Sequence, residues 1–222
     1  MTQFRPKYIT FDCYGTLTWF QMSRIAAEMF RDRVPADRMD RFIEDFAAYR
    51  FDEILGDWKP YGQVIANAVG RTCRAWGIDH TDAEARLYYD DIPNWGPHPD
   101  VPAPLARVAE HYPLVILSNA SDDQIRSNVD KLGAPFHAVY TAQQAGAYKP
   151  RFRAFEHMFD QLGCGPADVL HVSSSLRYDL MPAHALRIEN KVYVNRGYEP
   201  TAPGYGYHEI PDLGGLPGIL GL

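Results

Sequence analysis

Residues 11–18 read Phe11-Asp12-Cys13-Tyr14-Gly15-Thr16-Leu17-Thr18, and they follow directly on the apolar run Tyr8-Ile9-Thr10-Phe11. A short apolar run of this kind predicts a buried strand, with Asp12 at its carboxyl end. Open α/β sheets gather their ligands outside those strand ends. Gly15 and Thr16 suit a tight turn whose backbone N–H groups face inward. The octamer by itself also fits a blander arrangement, a strand running into a loop with Asp12 as a cap.

Further apolar runs bounded by turn residues occur at Leu114–Leu117, Ala138–Thr141, Val169–Val172 and Val192–Val194, with helix-like stretches at Asp122–Leu132, Arg151–Leu162 and Asp179–Leu186. Strands alternating with helices imply an α/β fold built on a doubly wound parallel sheet. The segment between the first two strands has another character. Gln21–Arg33, Arg38–Leu55 and Tyr61–Trp76 look helical, and Ile65, Val69, Cys73 and Trp76 recur at helical spacing. Those four are expected to face a core rather than a cofactor. Pro93, Pro97, Pro99, Pro102 and Pro104 then predict a stiff connection back to the sheet. The expected organisation is an α/β core formed by residues 1–18 and 98–222, with a helical cap at 19–97 inserted after the first strand. The Gly/Pro-rich tail, 197–222, is expected to form loops.

The chain has 222 residues, 46% of them hydrophobic and 23% charged, which suits a soluble protein with a sizeable core. A net charge of −6 without any basic block argues against nucleic acid as a partner. No apolar run reaches the roughly 18 residues of a spanning helix, so no membrane partner is expected. Cys13, Cys73 and Cys164 have no metal-like spacing, and their odd number predicts a reduced, cytoplasmic protein without structural disulfides.

Four segments sit at or just beyond predicted strand ends: Asp12 with Thr16; Leu117-Ser118-Asn119-Ala120-Ser121; Tyr148-Lys149-Pro150; and Val172-Ser173-Ser174-Ser175-Leu176-Arg177-Tyr178-Asp179. Parallel strands bring these ends to one edge of a sheet. Taken singly, Ser118-Asn119 fits a helix cap, Lys149 a solvated lysine and Asp179 a helix-start residue. Their joint order is what points to a site.

In that order, FDCYGTL, LSNAS, YKP and the serine-rich fourth segment resemble the four motifs of the haloacid dehalogenase superfamily, and most closely those of the type II 2-haloacid dehalogenases. The resemblance implies Asp12 as nucleophile, Lys149 as its charge partner, and a hydrolytic water held near Asp179, Ser175 and Lys149. It further implies that Thr16, Ser118 and nearby backbone amides hold a substrate carboxylate and that Asn119 cradles the leaving halide. Tyr14, Ser174 and Phe155 join the expected substrate contacts. A small haloacid is the expected substrate, halide a product, and a homodimer the expected assembly; no metal and no cofactor are expected.

Two departures from the superfamily's phosphatase pattern favour carbon–halogen chemistry. Tyr14 stands where a phosphatase carries its proton donor, and Ser174 stands where it carries a metal-binding acid. A phosphatase needs both. Halide leaves as a stable anion and needs neither. A magnesium-dependent phosphatase on a small ester is the alternative, supported by Ser175-Leu176 and the spacing to Asp179; a non-catalytic binding protein is a further one. The resemblance also implies a cap arginine for the halide, but the alignment places Glu53 there. Arg50, or next Lys59, is the expected substitute. Trp19, Phe20, Trp58 and Trp95 fit core packing better than a pocket lining.

Overall fold

The structure, a computed structural model, describes residues 5–222. Its described part divides into two compact units, one running to Trp19 and resuming at Gly96, the other Phe20–Trp95.

The first unit is built on six strands: β1 (Tyr8–Phe11), β2 (Leu114–Ser118), β3 (Ala138–Thr141), β4 (Val169–Ser173), β5 (Lys191–Val194) and β6 (His208–Ile210). Their order is β3-β2-β1-β4-β5-β6, and every pairing is parallel. β1 is therefore central, with the chain winding outward to either side, so Asp12 leaves the sheet where its strand order reverses. The expected doubly wound sheet is present.

Strands covered on both faces read as continuous apolar runs, and β2, β4 and β5 are buried along their whole length. Alternate residues serve opposite faces. Ile9, Phe11, Leu114, Ile116, Leu170 and Val172 pack with Leu105 and Val108 of α5 (Pro102–Ala109), Ile125 of α6 (Asp122–Val129) and Leu216 of α10 (Leu216–Ile219). Val115, Leu117 and Val169 face the other way, onto Phe155, Met158 and Phe159 of α8 (Phe152–Leu162) and Ala183 of α9 (Met181–Ala185). A short helix, α7 (Ala142–Ala145), follows β3.

The second unit holds α1 (Met22–Phe30), α2 (Met39–Leu55), α3 (Tyr61–Trp76) and α4 (Asp82–Asp91). Ile65, Val69 and Cys73 are buried as expected, and rings stack through it at Phe30–Phe42 (4.9 Å) and Phe46–Tyr88 (5.1 Å). Trp95 is buried, whereas Trp58 is exposed.

Three elements depart from the sequence reading. α4 was unforeseen, although Thr81 and Glu84 form a capping box at its start. The proline-rich stretch is not only a connection: Pro102 opens α5, where the first helical N–H has no partner to lose. The tail adds a parallel edge strand, β6, and α10 rather than loops alone. No helix among the described residues is long and apolar enough to cross a membrane. The three cysteines are free.

Candidate active site

Asp12 follows β1 directly, and the chain then turns sharply at Gly15 (φ +90°), where a side chain would be strained. The turn is held by Gly15 N–H to Thr18 O (2.7 Å) and Leu17 N–H to Cys13 O (2.8 Å). Thr16 is thereby returned to Asp12, and its hydroxyl donates to Asp12 Oδ2 at 2.7 Å.

Lys149 reaches the same carboxylate from the loop between α7 and α8. Its Nζ donates to Asp12 Oδ1 (2.9 Å), Asp179 Oδ1 (2.7 Å) and Leu117 O (2.8 Å), so all three ammonium hydrogens have acceptors. The lysine is 1% exposed, which removes any reading of it as a solvated surface residue. Asn119 fixes its backbone from both sides: Nδ2 donates to Lys149 O (2.9 Å) and Lys149 N donates to Oδ1 (2.7 Å).

Asp179 is fully buried within the π-helical turn Leu176–Leu180. Besides Lys149, its Oδ1 lies 3.0 Å from His171 Nε2; its Oδ2 is buried without a hydrogen-bond partner among the described residues. Burial acts to raise both carboxyl groups. For Asp179 it is outweighed by Lys149 and His171, which hold the group below the ordinary range. For Asp12 burial, helped by the charge of Asp179, prevails over Lys149 and Thr16, and the group is raised. The two carboxylates in turn hold the Lys149 ammonium above its usual value against its own burial. The cluster thus contains one firmly ionised carboxylate, one cation, and a second carboxylate whose charge depends on that cation.

The other expected site residues have their own partners. Phe155 is wholly buried in the core of α8, its ring edge-on to His171 at 5.4 Å, and it is a packing residue rather than a substrate contact. The Ser175 hydroxyl donates to Glu199 Oε1 (2.8 Å), accepts from Tyr178 N, and caps the π turn. The Tyr14 hydroxyl donates to Asn128 Oδ1 of α6 (2.8 Å). Asn119 has both amide atoms on Lys149. Ser174 lies against Thr16, its N–H donating to Thr16 Oγ1 at 2.9 Å and its hydroxyl 3.1 Å from the same oxygen. Ser118 is buried at the end of β2, its Oγ without a hydrogen-bond partner among the described residues.

In the helical unit, Glu53 is not an open acid. It accepts from Lys59 (3.0 Å), Asn67 (2.8 Å) and Arg71 (2.7 Å). Burial would raise it, but those three donors pull it down to about 2. Lys59 is thereby engaged. Arg50, nine-tenths buried, lies over the rings of Phe20 (4.7 Å) and Phe46 (5.7 Å).

His171 and Glu199 escaped the sequence reading. His171 had one signal, a polar residue inside an otherwise apolar strand; Glu199 had none, because its role depends on where the loop after β5 returns.

The magnesium-dependent alternative raised by the sequence makes the donor set bear on a metal. Among the described residues no group of three or more His, Cys, Asp and Glu is arranged to hold a metal ion. Both oxygens of Asp12 are taken, one of them by an ammonium, and Ser174 offers only a hydroxyl that already meets Thr16. A divalent cation prefers carboxylate and carbonyl oxygens; these residues do not fit one.

Residues 6–187 match the family model described as haloacid dehalogenase-like hydrolase. The chain belongs to that family of hydrolases. It is 25% identical over 173 residues to (S)-2-haloacid dehalogenase 1 of Pseudomonas sp. (strain CBS-3), covering 75% of each chain. It is 27% identical over 125 residues to haloacetate dehalogenase H-2 of Moraxella sp. (strain B), a match spanning 55% of this chain and only 56% of that protein. In fold it resembles the L-2-haloacid dehalogenase of Xanthobacter autotrophicus with chloropropionic acid covalently bound (TM-score 0.78, 20% identity, 97% and 98% of the two chains). It is equally similar in fold to the putative HAD-hydrolase YfnB of Bacillus subtilis bound to magnesium (TM-score 0.80, 17% identity, 98% and 100%).

Proposed function

We propose that this protein hydrolyses the carbon–halogen bond of short 2-haloalkanoic acids without a metal, through an ester on Asp12. The observation that carries this reading is the pairing of Asp12 with Lys149 Nζ at 2.9 Å, in a cluster whose donor set does not suit a divalent cation. The named relatives support it.

Asp12 attacks the carbon beside the substrate carboxylate. The carbon–halogen bond breaks with its electron pair going to halide, and a carbon–oxygen bond to Asp12 forms. Lys149 keeps Asp12 anionic before attack. Arg50, the substitute that the sequence resemblance offers for the family's cap arginine, is the residue whose replacement tests halide capture. Ser118 Oγ is the hydroxyl assigned to the substrate carboxylate.

Water then attacks Cγ of the Asp12 ester while Asp179 takes its proton. The bond from Cγ to the substrate oxygen breaks, and the departing alkoxide takes that proton back. Asp12 returns to a carboxylate as the remaining proton passes to solvent. The carbon inverts once, at the first step. In this scheme Ser175 and Phe155 do not touch substrate.

The test measures halide and phosphate release in parallel, from 2-haloacids and from small phosphate esters, with and without chelator. Halide release that survives chelation is expected, together with ¹⁸O from labelled water entering Asp12 in a single turnover. Phosphate release dependent on magnesium, or label going straight into product, would overturn the scheme. Arg50→Ala is expected to slow halide release with Asp12 still intact.

A further inference from the structure

His171 is fully buried in β4 and takes no part in the steps above. Its ring is nevertheless held on three sides. Nδ1 lies 2.8 Å from the hydroxyl of Thr10, its register partner on β1; Nε2 lies 3.0 Å from Asp179 Oδ1; and Phe155 packs edge-on at 69°. An ionised carboxylate can only accept, so the network assigns the hydrogen to Nε2. A polar ring inside a sheet is costly unless bonded, and here both nitrogens are.

The consequence falls on Asp179. Oδ1 receives Lys149 and His171 together, while Oδ2, equally buried, has no hydrogen-bond partner among the described residues. Two donors on one oxygen fix the rotation of the carboxylate and leave the lone pairs of the other unspent. Lys149 alone would not fix it, because it is shared with Asp12 and Leu117 O.

We propose that His171 is a positioning residue for the hydrolytic half of the reaction, pinning Asp179 by Oδ1 so that Oδ2 faces the attacking water. The proposal rests on the dehalogenase reading above. It predicts a step-specific defect: ester formation does not use Asp179 as a base, whereas ester hydrolysis does.

The experiment is rapid-quench halide release from chloroacetate, with mass analysis of the peptide carrying Asp12, for the wild type, His171→Leu and His171→Gln. The leucine variant should release one equivalent of halide per site at close to the wild-type rate. It should then turn over about 10- to 100-fold more slowly, the worth of a hydrogen bond to a charged group, with the ester accumulating on Asp12. Glutamine, whose amide N–H reaches the position of Nε2, should restore most of the turnover. Equal slowing of both steps, no accumulated ester, or a folded glutamine variant as slow as the leucine one would overturn the proposal while leaving the dehalogenase reading intact. If the leucine variant does not fold, His171→Asn, too short to reach Asp179, carries the same expectation. A wild-type protein that releases no halide from any 2-haloacid overturns the dehalogenase reading and this proposal with it.

Discussion

Lys149 Nζ lies 2.9 Å from Asp12 Oδ1 and 2.7 Å from Asp179 Oδ1, one buried cation between two buried carboxylates. Removing one partner of such a cluster leaves uncompensated buried charge, which costs about 3–5 kcal/mol. Lys149→Met should therefore lose activity and stability together. With the cation gone, the folded-state carboxyl groups rise above their unfolded values near 4, so the penalty is absent below that pH and grows as pH rises. Chemical unfolding at pH 5 and pH 8 should show the larger deficit relative to wild type at pH 8. A deficit independent of pH would contradict the shared-charge description.

Asn119 acts on Lys149 through its backbone. Asn119→Ala breaks two hydrogen bonds, each worth about 1 kcal/mol net, and frees the loop that delivers the ammonium. The expected result is a fall in kcat of about tenfold or more with KM for haloacid little changed. A raised KM at constant kcat would instead place Asn119 on the substrate.

Ser175 and Glu199 form one unit. The Ser175 hydroxyl donates to Glu199, whose other oxygen accepts from Arg177 N–H at 3.1 Å, and together they shape the turn that carries Asp179. Ser175→Ala and Glu199→Gln should each cost about 1 kcal/mol in urea unfolding, and the double variant should cost clearly less than the sum. Strict additivity would argue against the coupling.

Phe155 fills core volume beside His171. Phe155→Ala should lose about 3–5 kcal/mol of stability through the cavity it leaves, with a KM close to wild type measured well below the new melting point. A large KM change in a stable variant would return Phe155 to the substrate contacts.

Glu53 offers a pH test in the helical unit. Its pKa lies near 2 rather than 4.5, so its bonds to Lys59, Asn67 and Arg71 contribute stability that is fully present above the ordinary value. That contribution is lost as pH falls from about 4.5 towards 2. The melting-temperature gap between wild type and Glu53→Gln should accordingly be wide at pH 7 and close over that window.

How far the sequence could be read depended on whether a residue's role was local. β1, β2, β4 and β5 were legible because a parallel strand buried on both faces is a run of apolar residues, and the carboxyl ends of β1, β2 and β4 pointed to Asp12, Ser118 and Asp179. α3 was legible to the residue from its periodicity. α5 was not, because the prolines that open a helix look the same as those of a rigid linker. β6 was hidden by its three-residue length within a Gly/Pro-rich tail. Ser175 and Phe155 meet neighbours that the motifs did not indicate, for a common reason: a motif position says where the backbone goes, not which neighbour the side chain meets.

By itself the sequence determined the alternation of strands and helices and the nucleophile candidate at a strand end. These follow from periodicity, strand polarity and residue chemistry, all local properties. Only the tertiary structure decided that Lys149 is shared between two carboxylates, that Glu199 accepts from Ser175, and that His171 binds Asp179 from within the sheet. Those relations join residues as far as 137 positions apart, and they exist only once the parallel register has brought the strand ends together.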